Sequence, residues 1–367
     1  MIPIYEPYIS KRTKDLANEA ISSTWISSTG KYKDLASNKL KDILGVKNVL
    51  LTSNGTTATH LVAKALKYKN PNIKKIIAPN NVYVAAWNSF LFDKEYEIIP
   101  VDADLNTWNI DLDLLDIEIK KHNDDAAVLI VPNLGNIINV PKLKRKYPNI
   151  VFVEDNCEGL FGKYDSHYAG TQSLASSLSF YGNKTITCGE GGAVLTNDDE
   201  IYSHLNKIHG QGQKKGQRYV HDTLGYNYRM TNVAAAILYG QLLDLPEILE
   251  RKNNLFETYR KEFNLVEGIN LQKIENKTCH SNWMMGIRTK FKFQKVKKFM
   301  EDNNIEIRPM FYPMSAHDHL REISDPLNEE NSTLLSEQCF MIPSFPTLRS
   351  EEIKHVISTI KKMVRSL

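Results

Sequence analysis

The chain has 367 residues, of which 42% are hydrophobic and 24% are charged, proportions typical of a globular protein and not of a disordered one. Its 46 basic and 43 acidic residues leave a net charge of +3 without a long basic block, so the composition gives no indication of nucleic-acid binding. No segment approaches the roughly 18 consecutive apolar residues of a membrane span, and the N-terminus lacks a charged leader with an apolar core. We expect a cytoplasmic protein that binds neither nucleic acid nor membrane.

Short apolar segments alternate with helical segments from residue 33 onward, which is the pattern of a parallel sheet covered by helices on both faces. Seven segments rich in β-branched and apolar residues are predicted strands: Asn48 to Leu51, Lys75 to Ala78, Tyr96 to Pro100, Ala127 to Val131, Ile150 to Glu154, Leu174 to Tyr181 and Ala193 to Thr196. The carboxyl ends of such strands are where ligands bind in open α/β sheets.

A change of domain is predicted at Pro246, which interrupts a long helical segment because proline lacks an amide hydrogen and clashes with the preceding turn. The second part contains predicted strands near Trp283 to Thr289 and Glu306 to Pro309 and a final helix from Ser350. The expected fold class is therefore α/β, with a large, mostly parallel sheet domain at residues 1–245 and a smaller α/β domain at residues 246–367.

The segment SNGTTA at residues 53–58 joins the first predicted strand to an apolar helical segment. Free amides at the start of a helix can bind a phosphate, and neighbouring hydroxyls can assist. Helix capping explains the serine and the threonines of this segment equally well, so both interpretations stay open.

Asp155 follows the apolar strand IVFVE, where a buried carboxylate can pair with a protonated ring nitrogen of a cofactor. An N-cap of the following helix is the alternative. Lys184 lies between a predicted strand and a glycine-rich turn, and a lysine withdrawn from water there can form a Schiff base. The alternative is an exposed turn lysine. A nucleotide-binding P-loop is excluded, because Asn183 stands where that motif requires glycine.

The four cysteines Cys157, Cys188, Cys279 and Cys339 are far apart and form no CxxC pair. We expect reduced thiols, without a disulfide framework and without a metal site.

The motifs together resemble the sugar aminotransferases of the DegT/DnrJ/StrS group, which are fold-type I enzymes that depend on pyridoxal phosphate (PLP). The similar segments span nearly the whole chain and occur in the family's order: TWISSTGKY, SNGTTA, VEDNCEGLFG, SFYGNKTITCGEGG, GYNYRMTN, RPMFYPM and IPSFPTLRSEEI.

The resemblance implies that Lys184 binds PLP, that Asp155 pairs with the ring nitrogen and that Glu158 contacts the ring hydroxyl. Tyr83 matches the aromatic residue that stacks on the ring. The cofactor phosphate is held in the family by residues that match Gly55, Thr56, Ser179 and Asn227.

The residue that matches Asn227 comes from the neighbouring subunit in this family, which implies a homodimer with two shared active sites. A two-fold axis forms such paired sites from one surface patch. Arg229, in the same motif, is either structural or close to the substrate. Arg218, Arg308 and Tyr312 are candidates for contacts to the diphosphate or the sugar, because guanidinium groups match phosphate geometry; solvated surface arginines are the alternative.

The implied reaction transfers an amino group from L-glutamate to a keto-sugar attached to a nucleotide. The stretch GNKTIT followed by GEGG resembles enzymes that aminate C4 of a 4-keto-6-deoxyhexose and give a product such as viosamine. We expect UDP or dTDP as the nucleotide, and keep GDP-perosamine-type chemistry and C3 amination as alternatives.

Two segments depart from the family, and two rival functions share the fold. VPNLG at residues 131–135 replaces the usual Val-His-aromatic-Gly, and PMS at residues 313–315 replaces Pro-Leu-His, so sugar contacts there are in doubt. PLP-dependent sugar dehydratases replace the lysine, so Lys184 argues against that function. The intact set of Asp155, Glu158 and Lys184 argues against a non-catalytic regulatory protein.

Overall fold

The computed structural model describes residues 1–324 and 328–367. The helices within these residues are α1 (Lys11–Ser22), α2 (Lys31–Leu44), α3 (Gly55–Lys69), α4 (Ala85–Leu91), α5 (Leu112–Lys121), α6 (Val140–Lys146), α7 (Asp199–His209), α8 (Asn232–Leu243), α9 (Leu245–Phe263), α10 (Phe293–Asp302), α11 (Glu330–Gln338) and α12 (Ser350–Ser366). The strands are β1 (Asn48–Thr52), β2 (Lys75–Pro79), β3 (Glu97–Val101), β4 (Ala126–Ile130), β5 (Val151–Asp155), β6 (Lys163–Tyr164), β7 (His167–Tyr168), β8 (Ser176–Ser179), β9 (Gly192–Thr196), β10 (Thr278–Cys279), β11 (Met285–Arg288), β12 (Arg308–Pro309) and β13 (Cys339–Ile342).

Seven strands form the main sheet in the order β1-β9-β8-β5-β4-β2-β3. The pairs among β8, β5, β4, β2 and β3 are parallel, whereas β9 runs antiparallel to both of its neighbours. The mostly parallel α/β sheet predicted from the sequence is therefore confirmed. The strand predicted at Leu174 to Tyr181 is shorter than expected, because the chain leaves the sheet after Ser179.

The direction of β9 follows from its connection. Residues 180–191 lead from β8 to β9 without a helix, and a chain that returns directly forms an antiparallel pair, whereas a parallel pair needs a crossover. Since β9 opposes both β1 and β8, those two strands run in the same direction. The carboxyl ends of β1, β8, β5, β4 and β2 consequently lie at one edge of the sheet, together with the connection that carries Lys184.

Helices cover both faces of the main sheet, as the alternation of side chains along β1 illustrates. Leu50 belongs to a buried cluster with Leu61 and Leu66 of α3, whereas Val49 and Leu51 belong to a cluster with α2 and α8. Successive side chains of a strand point to opposite faces, so each face of β1 has its own helical layer.

A second, three-stranded antiparallel sheet has the order β11-β13-β12 and packs against α9, α10 and α12 through a separate buried cluster. The strands predicted near residues 283–289 and 306–309 are present with shorter bounds, and α12 begins at Ser350 as predicted. Strand β13 was not predicted. Pro246 lies in the first turn of α9, one of the few helical positions that tolerate proline. The domain limits at residues 245 and 246 stay a prediction.

In the described residues, no helix combines the length and the apolar character that crossing a membrane requires.

Candidate active site

The start of α3 lies against the end of β8. The side chain of Asn54 accepts a hydrogen bond from the amide of Thr57 at 2.9 Å, and the hydroxyl of Thr57 bonds back to the Asn54 amide, a capping box that fixes where the helix begins. A Cβ atom added to Gly55 would lie only 2.8 Å from Cβ of Ser179, so the helix approaches Ser179 more closely than any other residue type would allow. The capping box uses the amide of Thr57, so a capped helix can still offer its first amides to a phosphate.

This approach forms a cradle of hydrogen-bond donors at the sheet edge. The first amides of α3, those of Gly55 and Thr56, have no backbone acceptor in the described part of the chain, as expected for the first turn of a helix. The hydroxyl of Ser179 lies beside them. Amides at a helix N-terminus attract an anion because they are unpaired and because the helix dipole is positive at that end.

Asp155 is the last residue of β5 and only 7% of its surface is exposed. Its Oδ1 accepts hydrogen bonds from the amide of Cys157 at 3.1 Å and from the hydroxyl of Ser177 at 3.4 Å. Both bonds go to one oxygen and come from adjacent elements, so the orientation of the carboxylate is fixed. The second oxygen is left for a cationic or protonated partner.

Glu158 lies in the loop after β5 and is also buried. Its Oε2 accepts a hydrogen bond of 2.8 Å from the amide of Leu134, whose backbone has the left-handed conformation with φ of 54°. Burial raises the pKa of Glu158 to about 7, and the Lys184 ammonium and the Leu134 amide oppose that rise only in part. Glu158 can therefore exchange a proton near neutral pH.

Lys184 lies in the β8–β9 connection with its side chain on the indole of Trp283. Its Nζ is 3.8 Å from the ring centroid, within the range of a cation–π contact. The indole Nε1 donates to the carbonyl of Asn183 at 2.8 Å, and the hydroxyl of Tyr5 donates to the carbonyl of Lys184 at 2.9 Å. The lysine predicted from the sequence is thus held at this edge of the sheet by Tyr5, from the N-terminal segment, and by Trp283, from the C-terminal part of the chain.

The other predicted residues lie at the surface. Tyr83 and Tyr312 are 60% and 43% exposed, and the ring of Tyr83 meets that of Phe311 edge-on at 6.1 Å. Phe311 precedes Tyr312 and Tyr83 follows β2, so the two segments flank the same edge.

The segment with Asn227 and Arg229 packs beside the phosphate cradle of its own chain, because the Ser53 amide donates to the Tyr228 carbonyl at 2.8 Å. The side chain of Asn227 is exposed and accepts from Arg229 Nε at 3.3 Å.

The remaining two arginines, Arg218 and Arg308, make no contact within the described residues that places them at this site. Arg218 is exposed and stacks on its neighbour Tyr219 at 5.0 Å, and Arg308 lies 3.6 Å from Glu306. Neither contacts Asp155, Glu158 or Lys184 among the described residues, so their assignment to the substrate stays a prediction.

Several residues of this edge were not recognised from the sequence. Trp283 and Tyr5 reach Lys184 from positions about 100 and 179 residues away, and Leu134 reaches Glu158 across 24 residues. Cys157 was expected only to be a reduced thiol, and its Sγ lies 3.2 Å from the position of a Cβ on Gly55. The only local signal was its position in the motif two residues after Asp155.

The arrangement fits a cofactor with a phosphate at one end and an aromatic nitrogen at the other. A Cβ on Gly55 would fill the space between α3 and Ser179, so the absence of a side chain here leaves room in which a phosphate could lie. Asp155, fixed through Oδ1, could offer its second oxygen to a ring nitrogen, and Lys184 could supply an amine for covalent attachment. The described residues contain no cluster of three or more metal-ligating side chains.

Residues 7–361 match the model of the DegT/DnrJ/EryC1/StrS aminotransferase family. The chain is 34% identical over 367 residues to a GDP-perosamine synthase of Escherichia coli O157:H7 and 34% identical over 373 residues to one of Vibrio cholerae, and each alignment covers 98% of both chains. A solved GDP-4-keto-6-deoxymannose-3-dehydratase mutant with bound GDP-perosamine has the same fold, with a TM-score of 0.90, 22% identity and coverage of 99% of this chain and 100% of that one.

Proposed function

This chain belongs to the DegT/DnrJ/EryC1/StrS aminotransferase family, and we propose that it aminates C4 of a GDP-linked 4-keto-6-deoxyhexose with L-glutamate as the donor. It is a PLP-dependent sugar aminotransferase. The observation that carries the choice of substrate is the 34% identity, over 98% of each chain, to two GDP-perosamine synthases. This similarity favours the GDP alternative over the UDP or dTDP that the motifs alone suggested.

Each end of the cofactor has a counterpart at the sheet edge. The amides of Gly55 and Thr56 and the hydroxyl of Ser179 would hold the phosphate, and Tyr83 would lie on the ring. Bound PLP supplies an electron sink that stabilises negative charge at the carbon that loses or gains a proton.

The chain's own side chains supply binding, orientation and proton transfer. Asp155 would pair with the ring nitrogen and favour its protonated form, because a buried carboxylate fixed by two hydrogen bonds stabilises a neighbouring positive charge. The Lys184 amine would hold the cofactor covalently and would serve as the group that takes up and returns the proton at the substrate carbon. Glu158, held by the Leu134 amide, would contact the ring hydroxyl.

The active sites are shared between two copies of the chain. Asn227 would reach the phosphate of the partner's cofactor, and its exposed side chain supports this role. Large apolar side chains near it in the sequence, Tyr219 and Leu224, are 78% and 87% exposed, as expected for residues that a second copy covers. Arg229, Arg218, Arg308 and Tyr312 stay candidates for the nucleotide and the sugar.

The dehydratase function is disfavoured, although a dehydratase has the same fold, because fold alone does not set the reaction. Those relatives replace the lysine, whereas Lys184 is present and reaches the edge. A regulatory protein would have no use for the buried carboxylates of Asp155 and Glu158, which cost free energy to keep there.

The test is an assay of the purified, PLP-loaded protein with L-glutamate and a panel of GDP-, UDP- and dTDP-linked 4-keto-6-deoxyhexoses. We expect 2-oxoglutarate release and a 4-amino product, identified by NMR, with the GDP sugar preferred. Turnover of only a UDP- or dTDP-linked sugar would contradict the proposed GDP nucleotide. Amination at C3 would contradict the proposed C4 position. Glutamate should also change the absorbance of the bound cofactor; an unchanged spectrum together with no product would support a non-catalytic protein.

A further inference from the structure

Lys252, on α9, is the most unusual charged residue of the described chain, because its side chain is fully buried without a carboxylate partner. Its surface exposure is 0%, and no ion pair to it is formed within residues 1–324 and 328–367. Burial moves the pKa of this amine well below its usual range. Burying an amine without a counter-ion costs free energy, whether it stays charged or gives up its proton, and an apolar residue of similar size would avoid that cost. Its contacts therefore need an explanation.

The amine of Lys252 joins two segments at the ends of neighbouring strands. Nζ donates a 2.7 Å hydrogen bond to the carbonyl of Trp283, which precedes β11, and a second one to the carbonyl of Ser344, which follows β13. The rings of Tyr5 and Phe256 lie 5.4 Å and 5.1 Å from the same nitrogen. Lys252 thus fixes the main chain of Trp283 to α9.

Two residues that contact Lys252, Trp283 and Tyr5, also contact the β8–β9 connection that carries Lys184. The indole of Trp283 lies under the amine of Lys184 at 3.8 Å and donates to the carbonyl of Asn183. The hydroxyl of Tyr5 donates to the carbonyl of Lys184. Two routes of contact therefore lead from the buried amine to the lysine of the active site.

We infer that Lys252 is a positioning residue, which holds Trp283 so that its indole sets the place of the Lys184 amine. The inference rests on the proposed function only in that it takes Lys184 to be the catalytic lysine. A side chain that carries protons between two carbons must return to the same place in every turnover, and a displacement of about 1 Å can cost on the order of a hundredfold in rate. Lys252 restrains Trp283 because it binds the carbonyl of Trp283 and that of Ser344 at the same time.

The test compares Lys252→Met with Lys261→Met, which removes an exposed lysine from the same helix. In the PLP-free proteins, trace acetylation followed by mass spectrometry reports how accessible each lysine amine is. We expect labelling of Lys184 to rise several-fold in Lys252→Met and to stay unchanged in Lys261→Met, with other surface lysines unaffected. Unchanged labelling of Lys184 in a folded Lys252→Met protein would overturn the inference. This readout needs no substrate, so it stands apart from the nucleotide-sugar assay.

A double-mutant cycle with Trp283→Leu identifies the route. If Lys252 acts through Trp283, each single variant lowers kcat by roughly tenfold with little change in KM, and the double variant is no worse than either, because both remove one connection. Effects that multiply to roughly a hundredfold would contradict the inference. If Lys252→Met does not fold, Lys252→Gln keeps an NH₂ donor and is used in both tests, with smaller effects of the same sign expected.

Discussion

The residues expected at the active site divide into two regions that differ in burial. Asp155, Glu158 and Ser179 are 5–7% exposed and are fixed by hydrogen bonds or close packing within one chain. Tyr83, Asn227 and Tyr312 are exposed, and the described residues give them few polar partners. The buried region is the proposed cofactor site, and the exposed region is where we expect substrate and a second copy to bind.

This difference indicates which part of the reaction depends on preorganisation. Groups that bind the cofactor act on the same molecule in every turnover, so fixing them in the fold costs nothing at the moment of reaction. Groups that bind a large nucleotide-sugar must allow it to enter and leave. Removing a buried group should therefore impair the chemistry, whereas removing an exposed one should impair binding or assembly.

The largest effect is expected for Lys184→Ala. Without this amine no residue carries the cofactor covalently or transfers the proton, so kcat should fall by more than about 10³-fold. Absorbance of the purified protein and release of 2-oxoglutarate from glutamate measure both losses. An active, yellow Lys184→Ala protein would remove this residue from the proposed mechanism.

Sharing of sites between two copies predicts a pattern of complementation. Asn227→Ala alone should weaken PLP retention and lower activity. Mixing it with Lys184→Ala under conditions that exchange subunits should restore about one quarter of wild-type activity, because half of the dimers then contain one intact site of two. The same mixture of Lys184→Ala with Asp155→Asn, both at the proposed cofactor site, is the control and should restore nothing if these two residues serve the same site in one chain. A mixture with Asn227→Ala that stays inactive would place Asn227 in its own chain's site.

A smaller effect is expected for Gly55→Ala, which tests the phosphate cradle. The new Cβ would lie 2.8 Å from Cβ of Ser179, so α3 must move away and its first amides with it. We expect the Kd for PLP to rise roughly tenfold, equivalent to about 1.4 kcal/mol, in a protein that still folds. Titration of the PLP-free protein followed by absorbance measures the change.

The matched control for Gly55→Ala is Gly182→Ala in the Lys184 loop, where an added Cβ meets nothing within 4 Å. Its PLP affinity should equal that of the wild type. Equal affinities for Gly55→Ala and Gly182→Ala would mean that the close approach of α3 to Ser179 is not used to bind phosphate.

How much of this was predictable from the sequence depends on the range of the contact. Asp155 and the segment at residues 53–58 were found because each stands at the end of a predicted strand, and parallel strands end at one edge; the family resemblance then named Gly55 within that segment. The direction of β9 was not specified by its apolar pattern, since that pattern is the same for either direction. Lys252 had no signal at all, because one lysine on an amphipathic helix normally lies in water.

The last prediction concerns folding stability and not activity: Glu158→Gln isolates the contribution of one buried carboxyl group to its pH dependence. Burial raises the pKa of Glu158 to about 7, above its ordinary value near 4.5. Below pH 4.5 the group is protonated in both the folded and the unfolded chain, and its contribution to stability is fully present. As the pH rises towards 7 the unfolded chain loses the proton first, so the folded state loses on the order of 3 kcal/mol. Glu154 is buried with a pKa also raised to about 7, and it contributes in the same direction in both proteins.

Urea unfolding of the PLP-free proteins from pH 4 to pH 8 should therefore show a smaller decline in the free energy of unfolding for Glu158→Gln than for wild type. The exposed Glu250→Gln is the control and should match wild type. Parallel declines would mean that the Glu158 carboxylate stays ionised in the folded chain and cannot exchange a proton near neutral pH.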